Sequence, residues 1–280
     1  MKKQIAVWAA LTAVTLLMTG CTAEAPPPAA APAPATPPKT AAAPEPAPAP
    51  EAARAAAYRT WGIEPLPAPP APPAVKPVQR KRGGPVPVIS DVPTTDKVVF
   101  LTIDDGAEKD PEFVRMMDEL GVPFTMFLTD SVISGDYGYF EPLVAQGHGV
   151  ANHTLTHPNL RALSPEAQRR EICGQQEKLR KRYGTAPRLF RPPFGNWNEA
   201  TRAAAGTCGV DAIVLWRESM QIKDMQYQRG DRKLRPGDIV LAHFRGPGEL
   251  KGRTMTEMTA TMLRKIQEQG FTVARLEDYV

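Results

Sequence analysis

Two adjacent carboxylates, Asp104 and Asp105, follow a β-branched, apolar run at 98–103 and precede Gly106. Such a run reads as a strand, and the glycine after it as a turn. Neighbouring residues leave a strand in opposite directions, so two acids at its end can do separate work, one holding a cation and one moving a proton. Taken alone, Asp-Asp-Gly is ordinary turn chemistry. The histidines change its weight. The chain has four, His148, His153, His157 and His243, all downstream of the acids. His153 and His157 lie four apart, a spacing that offers two imidazoles to one cation. Pro158 disfavours a continuing helix, so the pair is expected in a loop or single turn after a strand at 149–152. Thr154 stands where the metalloprotease helix motif needs its glutamate, which excludes that motif.

The elements that must position these residues alternate between strand and helix from residue 96 onward, which predicts an α/β fold with a largely parallel sheet or barrel. Strands are expected at 97–103, 124–128, 149–152, 188–191, 212–216, 239–244 and 271–276. Asp110-Pro111 opens a helix that Gly121 ends, and Ser164-Pro165-Glu166 opens a longer one ending at Gly184. Further helices are expected at 139–146, 198–208 and 254–269. Arg191-Pro192-Pro193-Phe194-Gly195 follows a short strand. Its prolines stiffen the loop and remove two amide donors, leaving the Phe194 amide as a candidate donor. His243 ends the apolar run at 239–244, where a histidine is either a satisfied core group or a catalyst.

Four stretches, Leu101 to Gly106, His153 to His157, Arg191 to Gly195 and Leu241 to His243, resemble in order and spacing four of the five motifs of the polysaccharide deacetylases. These are the NodB-type domains of carbohydrate esterase family 4. The resemblance covers about residues 94–280. It implies an irregular (β/α)7 barrel whose strand-end loops form one catalytic rim. It further implies Asp105, His153 and His157 as ligands of a divalent metal, above all zinc, with Asp104 as catalytic base and Arg191 paired to it. The amide of Phe194 would help hold the oxyanion, Leu241 would line the pocket for the acetyl methyl, and His243 would be the general acid. The implied reaction is hydrolysis of N-acetyl groups on amino sugars of an extracellular or cell-wall glycan, with release of acetate. His148 falls on no metal position and is expected to be structural.

The remaining motif departs from the family. After the strand at 212–216 an Asp-Trp pair is usual, one aspartate orienting the acid histidine, but this chain reads Trp216-Arg217-Glu218-Ser219-Met220. Glu218 is the expected substitute, with Asp224 as the alternative. The departure keeps two other readings open: a tethered glycan-binding module without turnover, and an amidase of the same fold acting on a small molecule.

Composition divides the chain. Of its 31 prolines, 21 lie at 22–93, in an Ala/Pro-rich tract expected to be a disordered linker. Residues 1–93 carry nine Lys/Arg against five Asp/Glu, which is the whole net charge of +4. A neutral domain at 94–280 gives no footprint for nucleic acid. Lys2 and Lys3 precede an apolar run, and Thr19-Gly20-Cys21 resembles a bacterial lipobox. That resemblance implies a signal peptide at 1–21, lipid on Cys21 and anchoring at the extracytoplasmic face of the cell membrane. In that compartment Cys173 and Cys208 are expected to bridge, with free buried thiols as the alternative.

Overall fold

The structure, a computed structural model, describes residues 50–280; Cys21, the signal and the first part of the proline-rich tract lie outside them. The strands are β1 (Val88–Ile89), β2 (Val98–Asp105), β3 (Thr125–Leu128), β4 (Gly149–Asn152), β5 (Leu189–Phe190), β6 (Ala212–Val214), β7 (Glu218–Met220), β8 (Met225–Tyr227), β9 (Ile239–His243) and β10 (Thr272–Val273). The helices are α1 (Pro50–Thr60), α2 (Pro111–Leu120), α3 (Asp130–Ile133), α4 (Glu141–Ala145), α5 (Pro165–Tyr183), α6 (Glu199–Thr207) and α7 (Met255–Glu268). The expected elements are present, and locally determined ones carry the expected ends. Asp110 caps α2 by accepting from the Glu112 amide, Pro111 follows at N1, and Gly121 closes the helix in the left-handed region. Asn198 and Thr254 form capping boxes on α6 and α7.

The sheet runs β1-β6-β5-β4-β3-β2-β9-β7-β8, with β10 beside β2, and it is parallel except for the β7–β8 hairpin. Its two ends are covalently joined. Only residues 215–217 separate β6 from β7, so the two form one bent strand that leaves β5 and β1 and arrives beside β9. That continuity curls the sheet into the irregular α/β barrel expected of the NodB type. At the seam the Leu215 amide donates to Ile89, the Arg217 amide donates to Ile239, and Arg217 Nε lies 2.6 Å from Asp91 Oδ2.

The linker expectation for 22–93 is corrected here for residues 50–93, which belong to the folded unit. Tyr58, Ile63, Leu66, Val78, Val86 and Val92 are buried against the barrel. Trp61 Nε1 donates to Glu119 on α2 at 2.7 Å, Arg202 Nε donates to Val86 O at 2.6 Å, and β1 pairs with β6. Between these anchors the prolines cost few hydrogen bonds, because an extended belt on a surface needs few amide donors. Cys173 on α5 and Cys208 at the end of α6 are bridged, with Cα atoms 4.9 Å apart.

Candidate metal centre and catalytic rim

Parallel strands bring their carboxyl ends to one rim. Asp104 stands level with Phe127 on β3 and His243 on β9, and Asp105 stands level with Leu128. Asn152, the residue before His153, pairs with Phe190, the residue before Arg191. Asp104, Asp105, His153, Arg191 and His243 are thereby gathered at one end of the barrel.

The two aspartates have different surroundings, as alternation at a strand end dictates. Asp104 is buried and held by Arg191, whose Nη1 donates to its Oδ1 at 2.6 Å. Arg191 is itself fully buried; it donates from Nε to Val214 O (2.9 Å) and from Nη2 to Thr102 Oγ1 (2.9 Å) and Leu215 O (3.2 Å). Its guanidinium lies over the Phe127 ring, 4.2 Å from the centroid. Burial pushes the Asp104 carboxyl above its usual range, against the pull of Arg191 and His243.

Asp105 turns the other way, toward the histidines. Its Oδ1 lies 3.5 Å from His153 Nε2 and 3.4 Å from His157 Nε2, and no hydrogen-bond partner reaches this buried oxygen. His153 Nδ1 is 2.7 Å from the Arg191 carbonyl, which can only accept, so Nδ1 carries the proton and Nε2 presents a lone pair to the carboxylate. Burial pushes His153 down to about 4, with Asp105 opposing, so at neutral pH no second proton relieves the clash. A cation would relieve it. The donor atoms of Asp105, His153 and His157 lie within 4.8 Å of one another. An ion bonded tetrahedrally at about 2.0–2.1 Å separates neighbouring donors by roughly 3.3–3.4 Å, close to the spacings here. Two imidazoles and a carboxylate suit a divalent first-row ion. The residues fit the metal that the resemblance implies.

The loop bearing the pair is fixed by groups that sequence reasoning missed. Asn152 accepts from the Thr154 amide at 2.8 Å and donates to Ile172 O and Gln176 Oε1 on α5. Thr154 Oγ1 accepts from the His157 amide at 3.0 Å, and Thr129 Oγ1 donates to His153 O at 2.9 Å. The available signal was polar residues inside apolar strands: Asn152 in β4, and Thr102, the Arg191 partner, in β2. Asp105, Thr154, His157 and Phe194 all have φ between 57° and 74°. Non-glycine residues rarely take that conformation, and four at one rim mark a site where surrounding structure holds strained backbone. Gly106 has φ 89°, and a Cβ there would lie 2.5 Å from Ile133 and 2.9 Å from the Phe140 ring.

Phe194 is exposed, its ring edge-on to His157 with centroids 4.9 Å apart. Leu241 is buried and level with Thr102, two residues before His243 on the same face. His243 lies at the rim, with Nδ1 buried and unpartnered. Burial pushes its pKa down to about 4, Asp104 opposing.

Glu218 is not beside His243, which corrects the expectation. The strand at 212–216 does not end at Trp216; it bends and continues to Met220, leaving Glu218 level with Val240, three residues short of His243. There Glu218 is buried with Arg229 and Asp238, 3.5 Å from Arg229 Nη1. Burial and the Asp238 carboxylate push it up to about 8. His148 also lies away from the rim, its ring centroid 4.2 Å from that of Phe124, beside a cavity of about 500 Å³ at the opposite end of the strands.

Comparison with known proteins agrees with this geometry. The sequence model of the polysaccharide deacetylase family matches residues 91–213. A chitooligosaccharide deacetylase of Bradyrhizobium is 30% identical over 195 residues, spanning 62% of this chain and 87% of that protein. The chain belongs to the polysaccharide deacetylase family. It is a hydrolase of non-peptide carbon–nitrogen bonds by that membership. An uncharacterized protein of Streptomyces coelicolor is 46% identical over 195 residues, covering 69% of this chain and 77% of its own length. The structure of a family 4 carbohydrate esterase from Bacillus anthracis superposes with a TM-score of 0.56 at 25% identity, covering 69% of this chain and 86% of that one.

Proposed function

We propose that this deacetylase removes N-acetyl groups from amino sugars of an extracellular or cell-wall glycan, releasing acetate and leaving free amines. The observation that carries the proposal is the division of labour between adjacent aspartates. Asp105 faces two imidazoles with an unpaired oxygen, while Asp104 is tied to Arg191 beside them. Asp105, His153 and His157 would hold a divalent ion, most simply zinc, which supplies Lewis-acid polarisation of the acetyl oxygen and acidifies water.

Asp104 takes a proton from the attacking water, and Arg191 favours the ionised form of this buried carboxyl and aims it. His243, level with Asp104 on the neighbouring strand and neutral before the reaction, takes up the proton that Asp104 receives and passes it to the leaving amine nitrogen. Water and amide become acetate and amine, with the proton removed at Asp104 balanced by the one given at His243. The Phe194 amide is assigned to the developing oxyanion, and Leu241 to the acetyl methyl. The exposed Phe194 ring offers an apolar face to a sugar.

A lipid on Cys21 would hold the enzyme at the extracytoplasmic face of the membrane. Among the described residues no helix is long and apolar enough to cross one. One observation favours the rival reading of a glycan-binding module without turnover: His243 Nδ1 has no partner. Acetate release from chitooligosaccharide and from peptidoglycan decides between them. The proposal expects release from at least one; tight glycan binding with no acetate from either would establish the binding module instead.

A further inference from the structure

Thr154 and His157 hold left-handed backbone at φ 74° and 57°, so the loop that carries the histidine pair is not one its own residues favour. Such a loop keeps its shape only where neighbours tie it down. On one side α3 does so, the Asp130 and Ser131 amides donating to Thr154 O (3.3 Å) and Leu155 O (2.8 Å). On the other side the ties come from a single stretch of α5, residues 171–176. Glu171 accepts from the Thr156 amide through Oε2 and from Thr156 Oγ1 through Oε1, both at 2.9 Å. Ile172 O and Gln176 Oε1 accept from Asn152 Nδ2 at 2.8 and 2.9 Å. Leu155 lies against Gly174, where a Cβ would come within 2.6 Å of Leu155 Cδ1.

α5 itself has little apolar hold. It is nineteen residues long, yet its buried side chains are Ile172 and Leu179 together with Gln168, Gln175 and Gln176. Its neighbour α6 buries Thr201, Ala204 and Ala205. Small side chains remove little apolar surface from water, so packing between these helices is a weak hold. The Cys173–Cys208 bridge joins them within the 171–176 stretch, and Gln176 Nε2 adds bonds to Pro187 O (2.7 Å) and Cys208 O (3.3 Å).

We infer that the Cys173–Cys208 bridge and Glu171 are positioning groups of the metal centre, an inference that rests on the reading of His153 and His157 as metal ligands. The bridge fixes the 171–176 stretch of α5. That stretch, with Glu171 clamping Thr156 beside His157, fixes the loop and so the spacing of the two imidazoles. Neither group touches the ion. Groups one step behind metal ligands change affinity by about 10–100-fold, because they decide how far the ligands stray from the geometry the ion requires.

Zinc affinity of the full chain, measured by chelator competition, tests this in the folded state. The paired variant Cys173→Ala, Cys208→Ala is used because free thiols and reductants themselves bind zinc. It should bind zinc about tenfold more weakly than wild type. Glu171→Ala should do the same with the bridge intact, and Glu171→Gln, which keeps an acceptor for Thr156, should recover to within about threefold of wild type. In the metal-free chain labelled with ¹⁵N-histidine, each signal being assigned by its loss in a single His→Gln variant, bridge removal and Glu171→Ala should shift and broaden the His157 ring signals. His148, at the opposite end of the strands, should keep its own. Affinity within twofold of wild type in the paired variant, with unaltered His157 signals, would overturn the inference. So would equal changes at His148 and His157, which would mark a general loosening. Should the paired variant fold poorly, wild type reduced while folded, its thiols blocked with iodoacetamide and the reagents removed, carries the same comparisons. If wild type binds no zinc, the metal reading falls, while the histidine spectra still decide whether the bridge and Glu171 hold the loop.

Discussion

Replacing Arg191 with Met removes all four hydrogen bonds of its guanidinium while keeping much of the apolar stem. The Asp104 carboxyl then remains buried with no opposite charge bonded to it. Removing one partner of a buried ion pair costs about 3–5 kcal/mol, because the other charge stays desolvated. For a folded unit of this size that corresponds to a fall in Tm on the order of 10 °C. Asp104 has a cheaper route than unfolding, which is to take up a proton. Its pKa is already raised by burial and restrained by Arg191, so Arg191→Met should move it further up. Thermal melting and the acidic limb of the kcat/KM profile should therefore change together. The double variant Arg191→Met, Asp104→Asn should be more stable than Arg191→Met alone, since no buried charge is left unpaired. A single variant that melts within 2 °C of wild type, or a double variant less stable than the single, would refute this reasoning.

Glu218→Gln should leave turnover unchanged and alter the pH dependence of stability. The folded chain keeps the Glu218 proton up to about 8, whereas the unfolded chain releases it near 4.5, so this group favours folding at low pH and the contribution is lost as pH rises through about 8. The buried histidines His148, His153 and His243, each pushed to about 4, lose protons over this interval only in the unfolded chain, and that contribution is common to both proteins and cancels in the comparison. Denaturant titrations at pH 6.5 and 8 should thus show wild type losing roughly 2 kcal/mol more than Glu218→Gln over that interval; parallel curves would remove Glu218 as the source. Cys208→Ser opens a loop of 35 residues and should cost about 3–4 kcal/mol in urea unfolding. No difference between oxidised and reduced protein would argue that α5 and α6 need no staple.

What was legible in the sequence was what neighbouring residues determine. Asp110, Pro111 and Gly121 specify α2 by capping and φ preference, and the His153/His157 spacing specifies a shared target whatever loop holds it. The belt at 61–93 was not legible, because Ile63, Leu66 and Val86 show no helical or strand period and acquire order only by packing on the barrel. Glu218 was misplaced for a related reason. A strand that bends through Leu215–Arg217 and changes partners carries no local sign that it continues, and only pairing with β9 reveals that its end lies near Gln221. Asn152 and Thr102 were visible as polar residues in apolar strands, but their roles depend on α5 and Arg191, which are distant in sequence.

The claim that Asp105 serves a metal while Asp104 serves a proton is tested most directly by measuring bound zinc and acetate release side by side in wild type, His157→Ala and Asp104→Asn. His157→Ala should lose most of the zinc and the activity with it, since one of three donors is gone. Asp104→Asn should keep zinc near the wild-type ratio and still release acetate at least a hundredfold more slowly, as expected when a general base is removed, a step contributing about 10²–10⁴-fold. Equal zinc loss in both variants, or full activity in Asp104→Asn, would contradict the assignment.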